Sequence, residues 1–241
     1  MNISVNGSRG KMGSLMIELL RSQGHSVSGV DPMDASTSLS DIPVPEVLID
    51  FSHFSQLDTV LGYALSHRVP LVIATTGYSL NQEQQILEAA KIIPIFKSAN
   101  YSYGIVVLRK LIAEAVKRLE VDFDIDIIEA HHNQKKDAPS GTAKLLVDTI
   151  QKAGTLPHPM EMGHPTDEPR HPYAIGVHSI RGGSIVGDHS VVFAGAQERI
   201  TLTHQAESRA VFAHGAIKAA QFIIKQHPGL YSMDDLIKEV S

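Results

Sequence analysis

The fold class of this chain is indicated most clearly by a segment near its start, Ile3-Ser4-Val5-Asn6-Gly7-Ser8-Arg9-Gly10-Lys11-Met12-Gly13 (ISVNGSRGKMG in one-letter code). A short apolar strand runs into a glycine-rich loop, and a helical pattern follows with apolar residues at positions 15, 16, 19 and 20 on one side. Such a loop lets the backbone approach a phosphate, and the next helix donates N–H groups to it. The glycine spacing departs from Gly-x-Gly-x-x-Gly, so the loop also fits a purely structural tight turn.

Asp31 favours the phosphate-binding interpretation over the structural turn. It ends the second predicted strand, His25–Val30, about 20 residues beyond the loop. A carboxylate at that place accepts hydrogen bonds from the ribose hydroxyls of a dinucleotide. The two features together predict a dinucleotide site.

Outward from this unit, apolar strands alternate with amphipathic helices. Further strands are predicted at 47–51, 71–74 and 92–96, with helices at 56–67 and 81–91. Alternation of this kind predicts a parallel sheet covered on both faces. The first part of the chain is therefore predicted to be α/β, a Rossmann-type doubly wound parallel sheet.

The pattern changes after residue 100, which predicts a second domain. In chain order the elements are a helix at 104–119, a strand at 123–129, a helix at 140–153, a loop at 155–172, strands at 173–181, 189–195 and 198–206, and a helix at 208–226. The last helix is apolar enough to pack back on the first domain. We expect one domain from residues 1–101 and 208–241, and an α+β domain with an open mixed sheet from residues 102–207.

Composition excludes several classes of function. A formal net charge of −5 argues against a nucleic-acid partner, because phosphate binding needs an excess of Lys and Arg. No apolar run reaches the roughly 18 residues that span a bilayer, and the start of the chain lacks the features of an export signal. The chain has no cysteine, so disulfides and thiolate metal sites are excluded. These features predict a cytoplasmic protein that binds neither membrane nor nucleic acid.

The segment Glu129–Ala143, EAHHNQKKDAPSGTA, carries the chemistry. It reads as a strand end, a polar loop and a helix start, with Pro139 in the first helical turn and Ser140 and Thr142 as capping residues. Amides at that helix start form an anion site, and His131 has the pKa range of a general acid. A solvated loop that caps a helix is the plain alternative. A zinc site at the adjacent histidines is disfavoured because neighbouring strand residues point to opposite faces, so no metal is predicted.

This segment resembles the signature of the dihydrodipicolinate reductases, enzymes of lysine and diaminopimelate biosynthesis. The resemblance extends over essentially the whole chain. The further matching motifs are Gly7–Gly13, Asp50-Phe51-Ser52, Ala74-Thr75-Thr76-Gly77, Ser98-Ala99-Asn100-Tyr101-Ser102, Ile180-Arg181-Gly182-Gly183 and Val186-Gly187-Asp188-His189.

The resemblance implies a reductase that transfers a hydride from NADH or NADPH to a cyclic unsaturated imine dicarboxylate. His131 would be the proton donor and Lys135 the second catalytic group, while the substrate carboxylates would be bound by His132, Ser140, Gly141 and Thr142. The residues implied to hold the cofactor are Gly7, Ser8, Arg9, Gly10, Lys11, Met12, Asp31, Ala74, Thr75, Thr76, Ser98, Ala99, Asn100 and Tyr101. The family also implies a homotetramer assembled through the second domain, which would bind the small-molecule substrate.

Two departures from the family pattern concern the cofactor. Ala74 replaces a usual glycine, which narrows the room beside the nicotinamide, and Pro32 stands where members that favour NADPH carry an Arg. Asp31 should repel the 2′-phosphate of NADPH, with Arg9 and Lys11 softening the effect. We therefore expect use of both cofactors with a modest preference for NADH.

Several assignments stay open at this stage. Arg181 has either a structural or a substrate-adjacent role, and histidines in apparent loops and helix ends are expected to be solvated: His25, His53, His67, His158, His164, His171 and His227. A two-domain dehydrogenase acting on a semialdehyde or amino acid is one rival function. A nucleotide-sensing protein that has lost the chemistry is another.

Overall fold

The computed structural model describes residues 1–34, 36–164 and 167–238, which fall into two compact units. Residues Met1–Ser102 and the chain from Ala210 onward form the first unit, and Tyr103–Arg209 form the second. None of the helices in these ranges is both long and apolar enough to cross a membrane.

The strands and helices are numbered in chain order. The strands are β1 (Asn2–Asn6), β2 (Ser26–Val30), β3 (Val47–Asp50), β4 (Leu71–Ile73), β5 (Pro94–Lys97), β6 (Asp124–His131), β7 (Met160–Met162), β8 (Ile175–Arg181), β9 (Gly187–Ala194), β10 (Arg199–Ala206) and β11 (Gly229–Tyr231). The helices are α1 (Lys11–Ser22), α2 (Leu57–His67), α3 (Leu80–Ala90), α4 (Tyr103–Leu119), α5 (Gly141–Ala153), α6 (Ala210–Ile223) and α7 (Met233–Lys238).

The first unit is built on a six-stranded parallel sheet of order β11-β5-β4-β3-β1-β2. All four residues of β3 and all three of β4 are buried, as expected for strands covered on both faces. Strand β1 has β2 on one side and β3 on the other, so the order reverses there. In open α/β sheets, ligands bind outside the carboxyl ends of the strands at such a reversal.

The helices of this unit pack on both faces of the sheet, against strand residues that point alternately to one face and the other. Leu71, Ile73 and Ile95 lie in one core cluster with residues of α2 and α3. Phe96, which points the other way, packs edge-on against Phe222 of α6 at 5.9 Å between ring centroids. The predicted doubly wound sheet is confirmed.

The second unit is built on a five-stranded mixed sheet of order β10-β9-β6-β8-β7. Strand β6 pairs antiparallel with β9 and parallel with β8. Helices α4 and α5 pack on one face, over a core that includes Ile112, Ile127, Ile150 and Phe193. The opposite face keeps exposed apolar side chains, among them Ile128 and Ile180. The predicted α+β fold with an open mixed sheet is confirmed.

The sequence did not predict the short strands β7 and β11 or the short helix α7. The stretch 155–172, expected to be a loop, contains β7, an edge strand that pairs with β8. Strand β11 extends the first sheet beside β5, and α7 follows it. Strands β7 and β11 have three residues each, and neither forms a clear apolar run or an alternating pattern in the sequence. Strand β5 also begins two residues later than expected, since the amides of Ile92 and Ile93 bond back to Ala89 and continue the helical turn.

The interpretation of His158 as a solvated histidine is wrong. Its side chain is only 1% exposed, and Nε2 lies 3.0 Å from Oε2 of Glu120 at the end of α4. The same carboxylate accepts hydrogen bonds from the backbone N–H and the hydroxyl of Thr155. The pair ties the chain after α5 to the end of α4.

Candidate active site

The glycine loop of the first unit is shaped by two close backbone approaches. Gly7 has φ of +81°, and a Cβ there would lie 2.7 Å from the backbone of Phe51, which follows β3. A Cβ on Gly13 would lie 2.1 Å from the carbonyl oxygen of Gly7. Gly10 precedes α1 and has no side chain to cap it, so the first-turn amides at Lys11 and Met12 can donate to an anion. The loop therefore has the form of a phosphate cradle.

Asp31 is held at the end of β2 beside this loop. Its buried carboxylate accepts hydrogen bonds from the amides of Arg9 at 2.8 Å and Met33 at 3.0 Å. The guanidinium of Arg9 is bound instead by Asp34. A cleft of about 440 Å³ adjoins Asp31 and the loop; its lining includes Gly7, Arg9, Gly10, Asp31, Pro32, Met33, Phe51 and Ser52.

Asp50 organises the carboxyl ends of three neighbouring strands. Its buried side chain accepts hydrogen bonds from Asn6 of β1 and from Thr75 after β4, each at 2.8 Å, and from the hydroxyl of Ser52 at 2.6 Å. Its carbonyl accepts the amide of Ala74. Thr75 thus points inward, whereas Thr76 is exposed.

The loop after β5 offers mainly backbone groups for contact with a ligand. Tyr101 is buried, and its hydroxyl donates to the carbonyl of Ile73 at 2.6 Å, so the ring supports β4. Ser98 donates to the carbonyl of Asn100, and the Asn100 side chain accepts the amide of Ser102. Ala99 is exposed. All the predicted cofactor residues lie at the carboxyl ends of strands in the first unit or in the first turn of α1.

In the second unit, the segment after β6 leads directly into α5. Ser140 is the N-cap, and its hydroxyl accepts the amide of Ala143 at 3.1 Å. Gly141 and Thr142 are the first two helical residues, as expected for an anion site. Pro139 follows a cis peptide bond and precedes the N-cap. The expectation that Pro139 lies in the first helical turn is wrong.

His131 shares its side of β6 with Glu129, because side chains two residues apart on a strand point the same way. Nδ1 of His131 lies 2.5 Å from Oε2 of Glu129, which is fully buried. Arg181, at the end of β8, donates to both oxygens of that carboxylate at 2.9 and 2.7 Å. The amide of Ser140 also donates to it. Sequence reasoning assigned Glu129 no role and left Arg181 undecided.

These contacts set the charges of the site. Burial raises the pKa of Glu129, but the hydrogen bonds from Arg181 and His131 outweigh it and lower the pKa to about 2. Burial lowers the pKa of His131, the charge of Glu129 opposes this, and the positive charges of Lys135 and Arg181 add to the lowering. An ionised Glu129 only accepts hydrogen bonds, so Nδ1 of His131 carries a proton and Nε2 is the nitrogen left for chemistry.

His189 of β9 completes the buried cluster; the sequence placed it in a matching motif but gave it no role. It stands opposite Glu129 in the strand register, with its ring 5.1 Å from that of His131. Nε2 lies 3.1 Å from the hydroxyl of Ser140. Burial, together with the charge of His131, lowers the pKa of His189 to about 4, so it is neutral at pH 7.

Lys135 and His132 lie in the polar loop after β6. The ammonium of Lys135 is 2.8 Å from the carboxylate of Asp137, and its side chain is 22% exposed. The carbonyl of His132 accepts the amide of Lys135. The loop thus carries a positive charge close enough to His131 to lower its pKa.

Glu129, His131 and His189 offer possible metal-ligand atoms within 4.8 Å of one another. Arg181 already donates to both oxygens of Glu129 and places a positive charge beside them. A second cation there would be repelled and would displace well-formed hydrogen bonds. We assign the cluster to proton chemistry.

Comparison with known proteins finds family models that match both units of the chain. The model of the dihydrodipicolinate reductase N-terminus matches residues 1–101, and that of the C-terminus matches residues 104–237. The 4-hydroxy-tetrahydrodipicolinate reductases of Caldanaerobacter subterraneus and Clostridium tetani are each 45% identical to the chain. The alignments cover 98% of this chain in both cases, and 97% and 96% of those proteins.

Solved structures show the same fold. A dipicolinate-bound dihydrodipicolinate reductase from Paenisporosarcina sp. TG-14 aligns with a TM-score of 0.76 at 24% identity, over 96% of this chain and 97% of that one. The protein GenD2 of gentamicin A biosynthesis, solved in complex with NAD, aligns with a TM-score of 0.59 at 12% identity, over 98% of this chain and 90% of that one. With the family models matched across both units, the chain belongs to the dihydrodipicolinate reductase family.

Proposed function

We propose that this protein reduces 4-hydroxy-tetrahydrodipicolinate or its dehydrated form, dihydrodipicolinate, to tetrahydrodipicolinate in the cytoplasm, as a step of lysine and diaminopimelate biosynthesis. The names of its relatives support this substrate. The observation that carries the proposal is that the buried carboxylate of Glu129 holds His131 and also accepts the amide of Ser140, at the start of α5. A protein that only senses nucleotides needs no such group.

The first unit fits a nicotinamide dinucleotide. The glycines at 7, 10 and 13 let backbone segments of the loop approach more closely than a side chain would permit, and the cleft beside Asp31 suits an adenosine ribose. The predicted residues at 74–76 and 98–101 would hold the cofactor mainly through backbone groups. When bound, a reduced nicotinamide supplies the hydride.

The second unit supplies the charge for a dianionic substrate. The amides at Gly141 and Thr142 open α5, where the helix dipole favours an anion. Lys135 adds a positive charge, and His132 lies in the same loop. We assign the binding of the two carboxylates to these groups and to Ser140.

The proton comes from His131. As the ring takes up a hydride, negative charge develops on it as an enamine, and a C–H bond forms when Nε2 of His131 delivers its proton. Lys135 stabilises the charge while it develops. His131 is then left neutral, with its remaining proton on Nδ1 and bonded to Glu129.

We propose that both NADH and NADPH serve as cofactors, with NADH modestly preferred. Asp31 faces the position of a ribose 2′-group and would repel a phosphate there. Arg9, one of the two basic residues near the loop, has its guanidinium bound by Asp34. Lys11 is exposed at the start of α1 and offers the remaining compensation.

We also propose a homotetramer assembled through the open face of the second sheet. Ile128 of β6 and Ile180 of β8 leave apolar surface on that face. An exposed apolar face of this kind marks an interaction surface. Light scattering at micromolar concentration should give four times the mass of one chain, and a monomeric mass would contradict the assembly.

The proposed activity is tested by following nicotinamide absorbance with the cyclic substrate generated in place by the synthase that precedes it. We expect turnover with either cofactor, and competitive inhibition by pyridine-2,6-dicarboxylate at millimolar concentration. An amino acid or an open-chain semialdehyde in place of the cyclic substrate should give none. Turnover with those and not with the cyclic dicarboxylate would favour the rival dehydrogenase.

A further inference from the structure

We infer that Glu129 and Arg181 are positioning residues for the proton transfer: Glu129 fixes His131 with its proton on Nδ1 and leaves Nε2 for the substrate, while Arg181 serves Glu129 and not a substrate carboxylate. The inference deepens the proposed function and rests on it for the identity of the substrate. It concerns an internal chain of charges that neither the motif nor the family resemblance assigned.

The hydrogen bonds of Arg181 show why it does not bind substrate. Nη1 donates to Glu129 and to the carbonyl of Ile180, at 2.9 and 2.8 Å. Nη2 donates to Glu129 and to the carbonyl of Asp137, at 2.7 and 2.6 Å. A guanidinium has five N–H donors, and the fifth, on Nε, is buried away from solvent. No terminal donor is left for a ligand unless a protein contact breaks.

The surroundings of Glu129 show that its role is directed at His131. The carboxylate has no exposed surface, and its two oxygens meet Arg181, His131 and the amide of Ser140. Removing one partner of such a buried set is costly, so the carboxylate stays ionised and fixed. Only Nδ1 of the imidazole reaches it, and the ring therefore presents Nε2 on its other side.

Charged groups reach His131 from four elements. Glu129 lies on β6, Lys135 in the loop after it, Arg181 at the end of β8 and His189 on β9. Of these four groups, Glu129 alone carries negative charge and stabilises the imidazolium of His131, whereas the positive charges of Lys135 and Arg181 destabilise it. Proton donation requires His131 to be charged, so turnover falls as pH rises through its pKa. Loss of the Glu129 charge moves that fall to lower pH.

The test is the pH profile of turnover in Glu129→Gln, which keeps the size of the side chain and an acceptor oxygen but removes the charge. We expect turnover near neutral pH to fall by about one to two powers of ten. The alkaline limb should move to lower pH by about one unit, with cofactor affinity unchanged. Arg181→Lys should keep more activity than Arg181→Met, because it retains a charge beside Glu129.

Glu120→Gln is the matched control, since it removes the carboxylate of another buried Glu–His pair in the same unit, away from His131. It should reduce stability and leave the pH profile of turnover in place. If Glu129→Gln behaves in the same way, Glu129 is merely structural and the inference is overturned.

A second readout needs neither substrate nor a variant. Nitrogen-15 NMR of the wild-type protein above the pKa of His131 should show the proton on Nδ1, and a proton on Nε2 would overturn the inference. If the Nδ1 form is found but the cyclic dicarboxylate is not turned over, the proposed function fails and the Glu129–His131 assignment stands.

Discussion

Gly187 lies close to the nitrogen that we assign to proton delivery, so Gly187→Ala should disturb the chemistry without removing a titratable group. A Cβ at this position would lie 3.2 Å from Nε2 of His131 and 3.4 Å from its Cδ2, at or inside the short end of ordinary contact. The ring is held on its other edge by Glu129 at 2.5 Å, so it must shift by a few tenths of an ångström. A misplacement of about 1 Å can cost about a hundredfold. We expect turnover to fall about three- to tenfold.

The assay is steady-state turnover together with cofactor affinity and thermal stability. Cofactor affinity and the melting temperature should stay close to wild type, because the added methyl group crowds only the edge of the His131 ring and meets Cε1 of His189 at 3.9 Å, an ordinary contact distance. Gly182→Ala is the control: a Cβ there has open space, and its backbone lies outside the left-handed region. Full activity in Gly187→Ala, or an equal loss in Gly182→Ala, would refute this placement of Nε2.

Three further outcomes follow from particular contacts. Asp34→Ala should release Arg9 and raise kcat/KM for NADPH about two- to fivefold, leaving NADH unchanged in parallel initial rates; an unchanged ratio would show that Arg9 does not reach the 2′-phosphate. Glu120→Gln should cost about 2 kcal/mol in urea unfolding at pH 7. Because the pKa of Glu120 is lowered from 4.5 to about 2, that difference should shrink as pH falls through this range, and a constant difference would contradict it. Lys135→Ala should lower both turnover and substrate affinity, since it removes a positive charge from the anion site; unchanged inhibition by pyridine-2,6-dicarboxylate would remove Lys135 from that site.

The first unit and the reactive loop were accessible from sequence because their signals are local. The glycine loop, the alternation of apolar strands and helices, and the run from Glu129 to Ala143 each lie within a short stretch of chain. Ser140 caps α5 as its residue type predicts.

The contacts among the site residues could not be predicted from sequence, because they depend on the pairing of strands that lie far apart along the chain. Arg181 reaches Glu129 because β8 lies beside β6, with His131 and Arg181 in register. His189 stands opposite Glu129 only through the pairing of β9 with β6. His158 illustrates the same limit, since the partner that buries it lies 38 residues away at the end of α4.

The most direct test of the central claim, that His131 delivers the proton during reduction, is the turnover of His131→Ala with the cyclic dicarboxylate. We expect a loss of about two to four powers of ten, the usual contribution of a general acid. Cofactor affinity should stay nearly unchanged, because the glycine loop and Asp31 lie in the other unit. Undiminished turnover in His131→Ala would contradict the account.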